Sequence, residues 1–409
     1  MIERLRKVLF FALFFSFALL LGKHFWPEFS FVHGVRVDYL SPALYFSDLV
    51  IFALLLFEVY EKLIKQEWKF FGYAILLAVV LASYIPFVDV PQAHIYGSVT
   101  LLKFIFVGYV VAEHFRKEDI SLFLYALSFG VLIQSLLAIG QLILQEGLQG
   151  PFYFLGERAI YPTSVGAATF SFFGNSLLRP YGSFPHPNIL AFYLFLANIF
   201  LVFSLEKSKN GIFLISSLLG SVALLLTFSR VIILIYIVLL VIYFLLHSKK
   251  YLATSIIAGF ILYILVFLSR FELGGFIRDL SYRKELFEIS TKIVADSLIF
   301  GEGLLNYYYE QIEYHRRISP IFLQPVHNTY MIVLVQLGIF GLVAFFVLIW
   351  KTLFQLYIRI KDEVSYFDLA IAVVLLVALF VGIFDHFFFT LQQGQLMMAV
   401  ILGLAWRKA

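Results

Sequence analysis

Apolar runs dominate the chain, and each is long enough to cross a membrane as a helix. About 20 apolar residues, rising 1.5 Å each, span the roughly 30 Å hydrocarbon core of a bilayer. Twelve such runs lie near 8–22, 43–59, 69–87, 98–114, 120–145, 189–205, 211–228, 231–247, 251–268, 328–350, 367–384 and 388–406. Hydrophobic residues make up 62% of the chain and charged residues 14%. A water-soluble domain is therefore excluded.

The runs predict an all-α polytopic membrane protein of about 12 transmembrane helices. We expect a single transmembrane domain over 1–409, because the runs leave no room for a soluble one. Two connections are long, 146–188 and 269–327. The chain has no cysteine, which excludes disulfides and thiol chemistry. Its net charge of +4 is too small to indicate nucleic acid as a partner. The N-terminal MIERLRK lacks a signal-peptide cleavage site after its apolar run, which predicts a retained first span.

Basic residues predict the orientation of the spans. Short cytoplasmic connections of membrane proteins are enriched in Lys and Arg. More than half of the 30 basic residues fall into alternate short connections, namely Arg4, Arg6, Lys7, Lys62, Lys65, Lys69, Arg116, Lys117, Lys207, Lys209, Lys249, Lys250, Lys351, Arg359, Lys361, Arg407 and Lys408. We therefore expect both termini inside and both long loops outside.

This orientation places four candidate residues on the outer face. Arg179 lies in the first long loop, and Arg230 lies at the outer turn between spans seven and eight. Arg283 lies in the second long loop, which His327 closes. A transporter would instead carry ionisable groups near the bilayer midplane, where they are costly. From Ile212 onward no ionisable residue is well inside a predicted span, so we expect chemistry at the outer surface.

His327 is the candidate base. Pro325 and Asn328 indicate a helix start, so the imidazole would lie at the positive end of a helix dipole. That field favours neutral imidazole, the form that a general base requires. The alternative is an interfacial histidine bonded to a backbone carbonyl.

The three arginines are candidate anion ligands, since a guanidinium donates paired hydrogen bonds to phosphate oxygens. Arg179 opens the stretch 179–188, Arg-Pro-Tyr-Gly-Ser-Phe-Pro-His-Pro-Asn. In it, His186 and Asn188 are supporting candidates, and Asn188 is predicted to cap the next span. The alternatives are lipid-facing anchors for Arg179 and Arg230 and a solvated helix face for Arg283. Arg278 could take the place of Arg283.

The second long loop contains a predicted amphipathic helix at 281–299. Its apolar positions Leu286, Ile289, Ile293 and Leu298 fall near one face, which indicates a helix lying on the bilayer surface.

Other chemistries find little support in the sequence. Asp385-His386 could orient a partner, although the pattern favours a structural turn. No His/Asp cluster shows metal-ligand spacing, so we predict no metal and no cofactor. No phosphate-binding glycine loop is present, so a nucleotide donor is disfavoured and a membrane-borne donor is expected.

Together these stretches resemble the O-antigen ligase and polymerase superfamily of membrane glycosyltransferases. The resemblance rests on 179–188, on Thr227-Phe228-Ser229-Arg230, on the Arg283 helix leading to Gly301-x-Gly303, and on His327-Asn328 followed by Gly338-x-x-Gly341. Many members carry glutamate two residues before the first glycine, where this chain has Gln336. Any role of that carboxylate is therefore open here.

The resemblance implies a GT-C-like fold in the bacterial inner membrane with a periplasmic active site. It implies a metal-independent, inverting transferase that takes a glycan from undecaprenyl diphosphate. A ligase would pass that glycan to a sugar hydroxyl of lipid A–core. His327 would then deprotonate the acceptor, while Arg179, Arg230 and Arg283 would bind the diphosphate.

Several functions remain open at this stage. We favour the O-antigen ligase over an O-antigen polymerase or a protein O-oligosaccharyltransferase. A membrane transporter or non-catalytic scaffold is the alternative from a different class, and Asp48 and Lys103 are the best support for a transporter.

Overall fold

The computed structural model describes residues 2–172, 174–206, 208–246, 273–314 and 323–408. The predicted span 251–268 and the basic residues Lys207, Lys249 and Lys250 lie outside them. The described helices are α1 Ile2–Phe15, α2 Phe46–Ile64, α3 Trp68–Ala82, α4 Pro91–His114, α5 Ile120–Leu144, α6 Pro187–Ser204, α7 Gly211–Leu226, α8 Arg230–Leu246, α9 Leu273–Ser297, α10 Tyr307–Tyr314, α11 Thr329–Asp362, α12 Tyr366–Val381, α13 Phe387–Thr390 and α14 Gln392–Trp406.

The structure is mostly helical, with little sheet, and its apolar helices are compatible with a membrane protein. By length and composition, four stretches of the described residues could each cross a membrane. They are Pro91–His114, Lys117–Leu144, Pro187–Ser204 and Thr329–Asp362. Shorter apolar helices include α7, α8 and α12. The number of spans, the two periplasmic loops and the orientation stay predictions.

Short strands lie at the end of the first predicted span and at the beginning of the second. The described strands are β1 Gly22–His24, β2 Phe31–Val32, β3 Val35–Arg36, β4 Ala43–Tyr45, β5 Thr169–Phe172 and β6 Asn175–Leu178. They pair antiparallel as β1 with β4, β2 with β3 and β5 with β6. The bounds predicted for spans one and two are therefore wrong at their facing ends. Helix α1 ends at Phe15, and α2 begins only at Phe46.

The described residues cluster into two compact units. The first comprises Met1–Leu13, Gly22–Leu122 and Ser281–Ala409, and the second comprises Phe14–Leu21 and Phe123–Leu280. In the first unit, α4 packs closely along α14. A Cβ at Gly403 would lie 2.5 Å from the carbonyl oxygen of Gly108, so the two glycines permit the close approach of two apolar helices. In the second unit, α6 packs on α7, and its residues 189–201 are buried.

Helix α11 is broken at Gly338, which has φ 63° and ψ −169°. The loop that follows α9 hydrogen-bonds to α11 at this break. The Ile339 N–H donates to the Leu298 carbonyl at 2.9 Å, while Glu302 and Gly303 donate to the carbonyls of Val335 and Gln336 at 2.8 and 3.0 Å. These bonds satisfy backbone groups that the broken helix leaves without intrahelical partners. A structural requirement thus explains the glycine at position 338, the first glycine of the 338–341 motif.

Asp48 and Lys103, the best support for a transporter, form an ion pair. Lys103 Nζ donates to Asp48 Oδ1 at 2.8 Å and to Gln392 Oε1 at 3.0 Å. Gln392 Nε2 in turn donates to Asp48 Oδ1 at 2.9 Å. Both charges are therefore compensated inside the first unit, as charges in a membrane protein must be. Neither needs a transport role to explain it.

Candidate active site

The His327-Asn328 pair lies at the start of α11, in the first unit. Asn328 caps the helix, because its Oδ1 accepts a hydrogen bond from the Met331 N–H at 2.8 Å. Its Nδ2 donates to the Ile383 carbonyl at 3.0 Å. The next residue, Thr329, donates from its N–H to the Gly382 carbonyl at 2.7 Å. The predicted helix start is confirmed, and these bonds fasten it to the segment 382–386.

Segment 382–386 places Asp385 and His386 beside His327. The imidazole rings of His327 and His386 lie 5.1 Å apart between centroids. The His386 N–H donates to Asp385 Oδ1 at 2.8 Å, and its Nδ1 hydrogen-bonds with Thr390 Oγ1 at 2.6 Å. The dyad noted in the sequence therefore belongs to the surroundings of the candidate base. The sequence did not predict this contact with His327, because the dyad is more than 50 residues away along the chain.

The surroundings of His327 favour its neutral imidazole form. Burial lowers the pKa of His327 well below its ordinary range, and the neighbouring His386 and Arg283 lower it further, while Asp385 opposes them. Its Nδ1 is buried and has no hydrogen-bond partner among the described residues. A neutral imidazole with an unused nitrogen is a chemically competent proton acceptor. Burial is thus the largest of these causes of the neutral form, and the effect of the helix dipole stays a prediction.

Within the described residues, two groups of side chains have geometry that could hold a metal ion. His327, Asp385 and His386 each offer one ligand atom, and these atoms lie within 4.8 Å of one another. Glu58, Glu61 and His114 form the second such group. In the latter, His114 Nε2 already bonds Glu58 Oε2 at 2.5 Å. Folding thus assembles groups that spacing along the sequence does not reveal, and the absence of a metal stays a prediction.

Arg283 in α9 belongs to the same neighbourhood. Its NH1 donates to the Phe384 carbonyl at 3.0 Å, one residue before Asp385. The structure therefore places Arg283 in the neighbourhood of His327, and the diphosphate role of Arg283 stays a prediction. Arg278 lies one turn and a half earlier in α9, and its side chain is outside the described part of the structure.

The second unit holds the other two arginines. Arg179 follows directly after β6, and its Nε donates to the Thr227 carbonyl at 2.9 Å. Its NH2 donates to Asn188 Oδ1 at 2.9 Å. Arg230 is the exposed first residue of α8. The structure therefore joins the 179–188 stretch to the turn 227–230, which carries Arg230.

The predicted cap of the span after Arg179 is wrong by two residues. Helix α6 begins at Pro187, and its cap is His186, whose Nδ1 accepts from the Asn188 N–H at 3.1 Å. Proline at the first helical position has its φ preset for a helix, which moves the start toward the N-terminus. Asn188 instead positions Arg179 through its side-chain oxygen.

Two glutamines that the sequence analysis missed hold the 179–188 stretch. Gln141 Oε1 accepts from the N–H groups of Tyr181 and Gly182 at 2.9 and 2.8 Å. Gln134 Oε1 accepts from the Ser183 N–H at 2.9 Å. Both side chains are fully buried in α5. Their spacing of seven residues places them on one helix face, and two amides in an otherwise apolar helix could have signalled this role.

The structure confirms the predicted helix as α9, and most of its predicted apolar face is buried inside the protein. Leu286, Ile289 and Ile293 are buried, whereas Leu298 is 48% exposed. The predicted bounds 281–299 are wrong, because α9 runs from Leu273 to Ser297 and the backbone from Leu298 onward turns to meet α11. Whether α9 lies on a bilayer surface stays a prediction.

Residues 215–346 match the family model described as O-antigen ligase. The match confirms, over this stretch, the resemblance that the motifs indicated. It includes Arg230, Arg283 and His327, and it leaves Arg179 outside. No curated protein matches the chain. The match supports a membrane enzyme of the O-antigen ligase or polymerase type.

Proposed function

On the premise of this family match, we propose that the chain is an O-antigen ligase. It would transfer a glycan from undecaprenyl diphosphate to a sugar hydroxyl of lipid A–core, at the periplasmic face of the bacterial inner membrane. The observation that carries the proposal is the half-buried His327 at a capped helix start, with its pKa lowered and Arg283 beside it. The ligase is preferred to the polymerase because the matching family is described as O-antigen ligase.

In the proposed reaction His327 takes the proton of the acceptor hydroxyl. The hydroxyl oxygen attacks the anomeric carbon of the donor glycan, and the bond from that carbon to the diphosphate oxygen breaks. In-line attack inverts the anomeric centre. A well-placed general base contributes about 10²–10⁴-fold to the rate. The lowered pKa of His327 favours neutral imidazole at physiological pH, the state in which it can accept the proton.

The arginines would bind the diphosphate and stabilise the charge that develops on it as it leaves. Arg283 supports this role through its place beside His327. Arg179 supports it because two of its N–H groups are fixed by Thr227 and Asn188, which sets the plane of its guanidinium. Arg230 is exposed at a helix start, where backbone N–H groups also favour anions.

The direct test is reconstitution of the purified protein with undecaprenyl-diphosphate glycan, with and without lipid A–core, in the presence and absence of EDTA. We expect glycan on lipid A–core, unaffected by EDTA. Longer lipid-linked glycans without lipid A–core would establish a polymerase instead. Loss of activity with EDTA would refute metal independence and direct attention to His327, Asp385 and His386.

Substitution of His327 tests the base. We expect His327→Ala to abolish transfer and to leave membrane insertion and thermal stability nearly unchanged, since Nδ1 makes no hydrogen bond among the described residues. Full activity of this variant would remove the general-base proposal.

Substitution of Arg179 tests the diphosphate ligand. We expect Arg179→Lys to bind donor more weakly although the charge is kept, because lysine lacks the planar fork. Unchanged donor affinity would argue against a diphosphate role.

A further inference from the structure

The segment 22–45, which joins α1 to α2, is a fixed part of the first unit. Val32, Val37 and Leu40 are buried in one apolar cluster with side chains of α9, α10 and the start of α11. The hydroxyl of Tyr309, in α10, donates to the carbonyl of Phe29. The segment is therefore packed against the same elements that position His327.

Within this segment, Tyr39 extends the aromatic surroundings of the candidate base. Its ring stacks on Tyr308, with centroids 5.5 Å apart and planes 10° from parallel. It also meets His386 edge to face at 5.9 Å and 76°. Because His386 contacts His327, an unbroken row of ring contacts runs from Tyr39 to the base. Tyr308 is fully buried beneath Tyr39, whereas Tyr39 is only half-buried.

We infer that Tyr39 forms the acceptor-sugar subsite of the enzyme, with its ring as the surface on which the sugar lies. The inference rests on the proposed function and names where its acceptor binds. A base that accepts a proton from the acceptor must hydrogen-bond the reacting hydroxyl. The sugar that bears this hydroxyl must therefore lie beside His327, and the Tyr39 ring is two ring contacts away.

The chemistry of the surface fits a saccharide. The C–H face of a sugar ring is apolar and packs on an aromatic face, while its hydroxyl groups need polar partners. Ligand sites generally combine an aromatic wall with a few placed polar groups. Here the wall is Tyr39, supported from below by Tyr308, and the polar groups are those of His327, Asp385 and His386. The arginines address the donor diphosphate, so this wall is assigned to the acceptor.

The first test measures equilibrium binding of lipid A–core to the purified protein with native His327 and without the lipid-linked donor, so that no transfer can occur. Tyr39→Leu keeps apolar bulk against Tyr308 but removes the aromatic face, so we expect binding weaker by about tenfold. Tyr39→Phe should bind within about twofold of the parent. Lipid A without core sugars is the ligand control, and its binding should not respond to either substitution.

Val37→Ala is the matched structural control, since Val37 is buried in the same segment but contributes no ring. It should lower the melting temperature and leave lipid A–core affinity unchanged. Equal loss of affinity in Val37→Ala and Tyr39→Leu would overturn the inference, because packing alone would then explain it. Unchanged affinity in Tyr39→Leu, or no lipid A–core binding by the parent, would also overturn it.

A kinetic test in protein with native His327 separates the acceptor-sugar subsite at Tyr39 from the proposed ligase function. Tyr39→Leu should raise KM for lipid A–core and leave KM for the lipid-linked donor unchanged. If transfer occurs but neither KM responds, the subsite is wrong and the ligase stands. If the parent binds lipid A–core through Tyr39 but transfers nothing to it, the ligase is wrong and the saccharide subsite stands.

Discussion

Gly338→Ala offers the sharpest test of how α11 is built. The backbone of Gly338, at φ 63° and ψ −169°, lies in a region that only glycine adopts readily. An added Cβ would lie 2.2 Å from the carbonyl oxygen of Ile299 and 2.6 Å from the carbonyl carbon of Phe300. Both are backbone atoms and cannot rotate away. The loop that hydrogen-bonds to the break must therefore move.

The expected cost follows from these contacts. A non-glycine residue in this backbone region costs about 1–3 kcal/mol. The loop makes three backbone hydrogen bonds to α11 around the break, and each contributes about 0.5–1.5 kcal/mol. We therefore expect the free energy of unfolding to fall by roughly 2.5–7.5 kcal/mol, a large part of the 5–15 kcal/mol typical of a folded protein.

The measurement is thermal unfolding of the purified protein in detergent, together with the yield of monodisperse protein. Gly72→Ala is the control, because Gly72 lies inside α3 with no atom within 4 Å of an added Cβ. Alanine there should be neutral or stabilise by about 0.5–1 kcal/mol. A Gly338→Ala protein that melts at the same temperature as Gly72→Ala would refute our account of the break.

Four further predictions follow from single contacts. Because burial lowers the pKa of His327, the acid limb of the kcat/KM profile should lie below pH 6.5, and an acid limb at or above pH 6.5 would contradict the lowered pKa. The free energy of unfolding should also fall as pH drops below 6.5, because the unfolded chain takes up a proton there that the native state does not. Gln141→Leu leaves two backbone N–H groups of the 179–188 stretch without their acceptor, so unfolding should become easier by about 1–3 kcal/mol for each group, measured by thermal melting. Lys103→Met should lower the free energy of unfolding by about 3–5 kcal/mol, because it leaves the Asp48 carboxylate without its partner. Adding Asp48→Asn should restore much of this loss in a double-mutant cycle, whereas additive effects of the two substitutions would mean that the pair is not coupled. Gln336 Oε1 accepts a backbone N–H of the loop after α9 at 2.9 Å, so Gln336→Glu should keep transfer activity while Gln336→Leu lowers it, and equal activities would show that this bond is dispensable.

Local signals in the sequence predicted the local parts of the candidate site. Asn328 was recognised as a helix start because a capping residue stands directly before a long apolar run. Leu286, Ile289 and Ile293 were recognised by helical spacing. The same kind of signal failed at Asn188, because a proline one residue earlier and His186 before it begin the helix.

Tertiary contacts were beyond what spacing could predict. Asp385 and His386 meet His327 because Asn328 and Thr329 bond the segment 382–385, and no pattern along the chain records such bonds. Strands β1 and β4 were missed because an apolar run shows only that its residues avoid water, and a short apolar stretch can be either the end of a helix or a strand. Tyr39 was missed because its proposed role depends on its ring contacts with Tyr308 and His386, which are distant in the sequence.

The two hydrogen bonds that hold Arg179 have an entropic consequence. An arginine side chain in solution samples many rotamers, and about 2 kcal/mol of conformational entropy is lost when it is immobilised. In this structure the bonds to Thr227 and Asn188 impose that loss during folding. An anion that binds to Arg179 would therefore meet a side chain that is already ordered, and its affinity would not be reduced by ordering it.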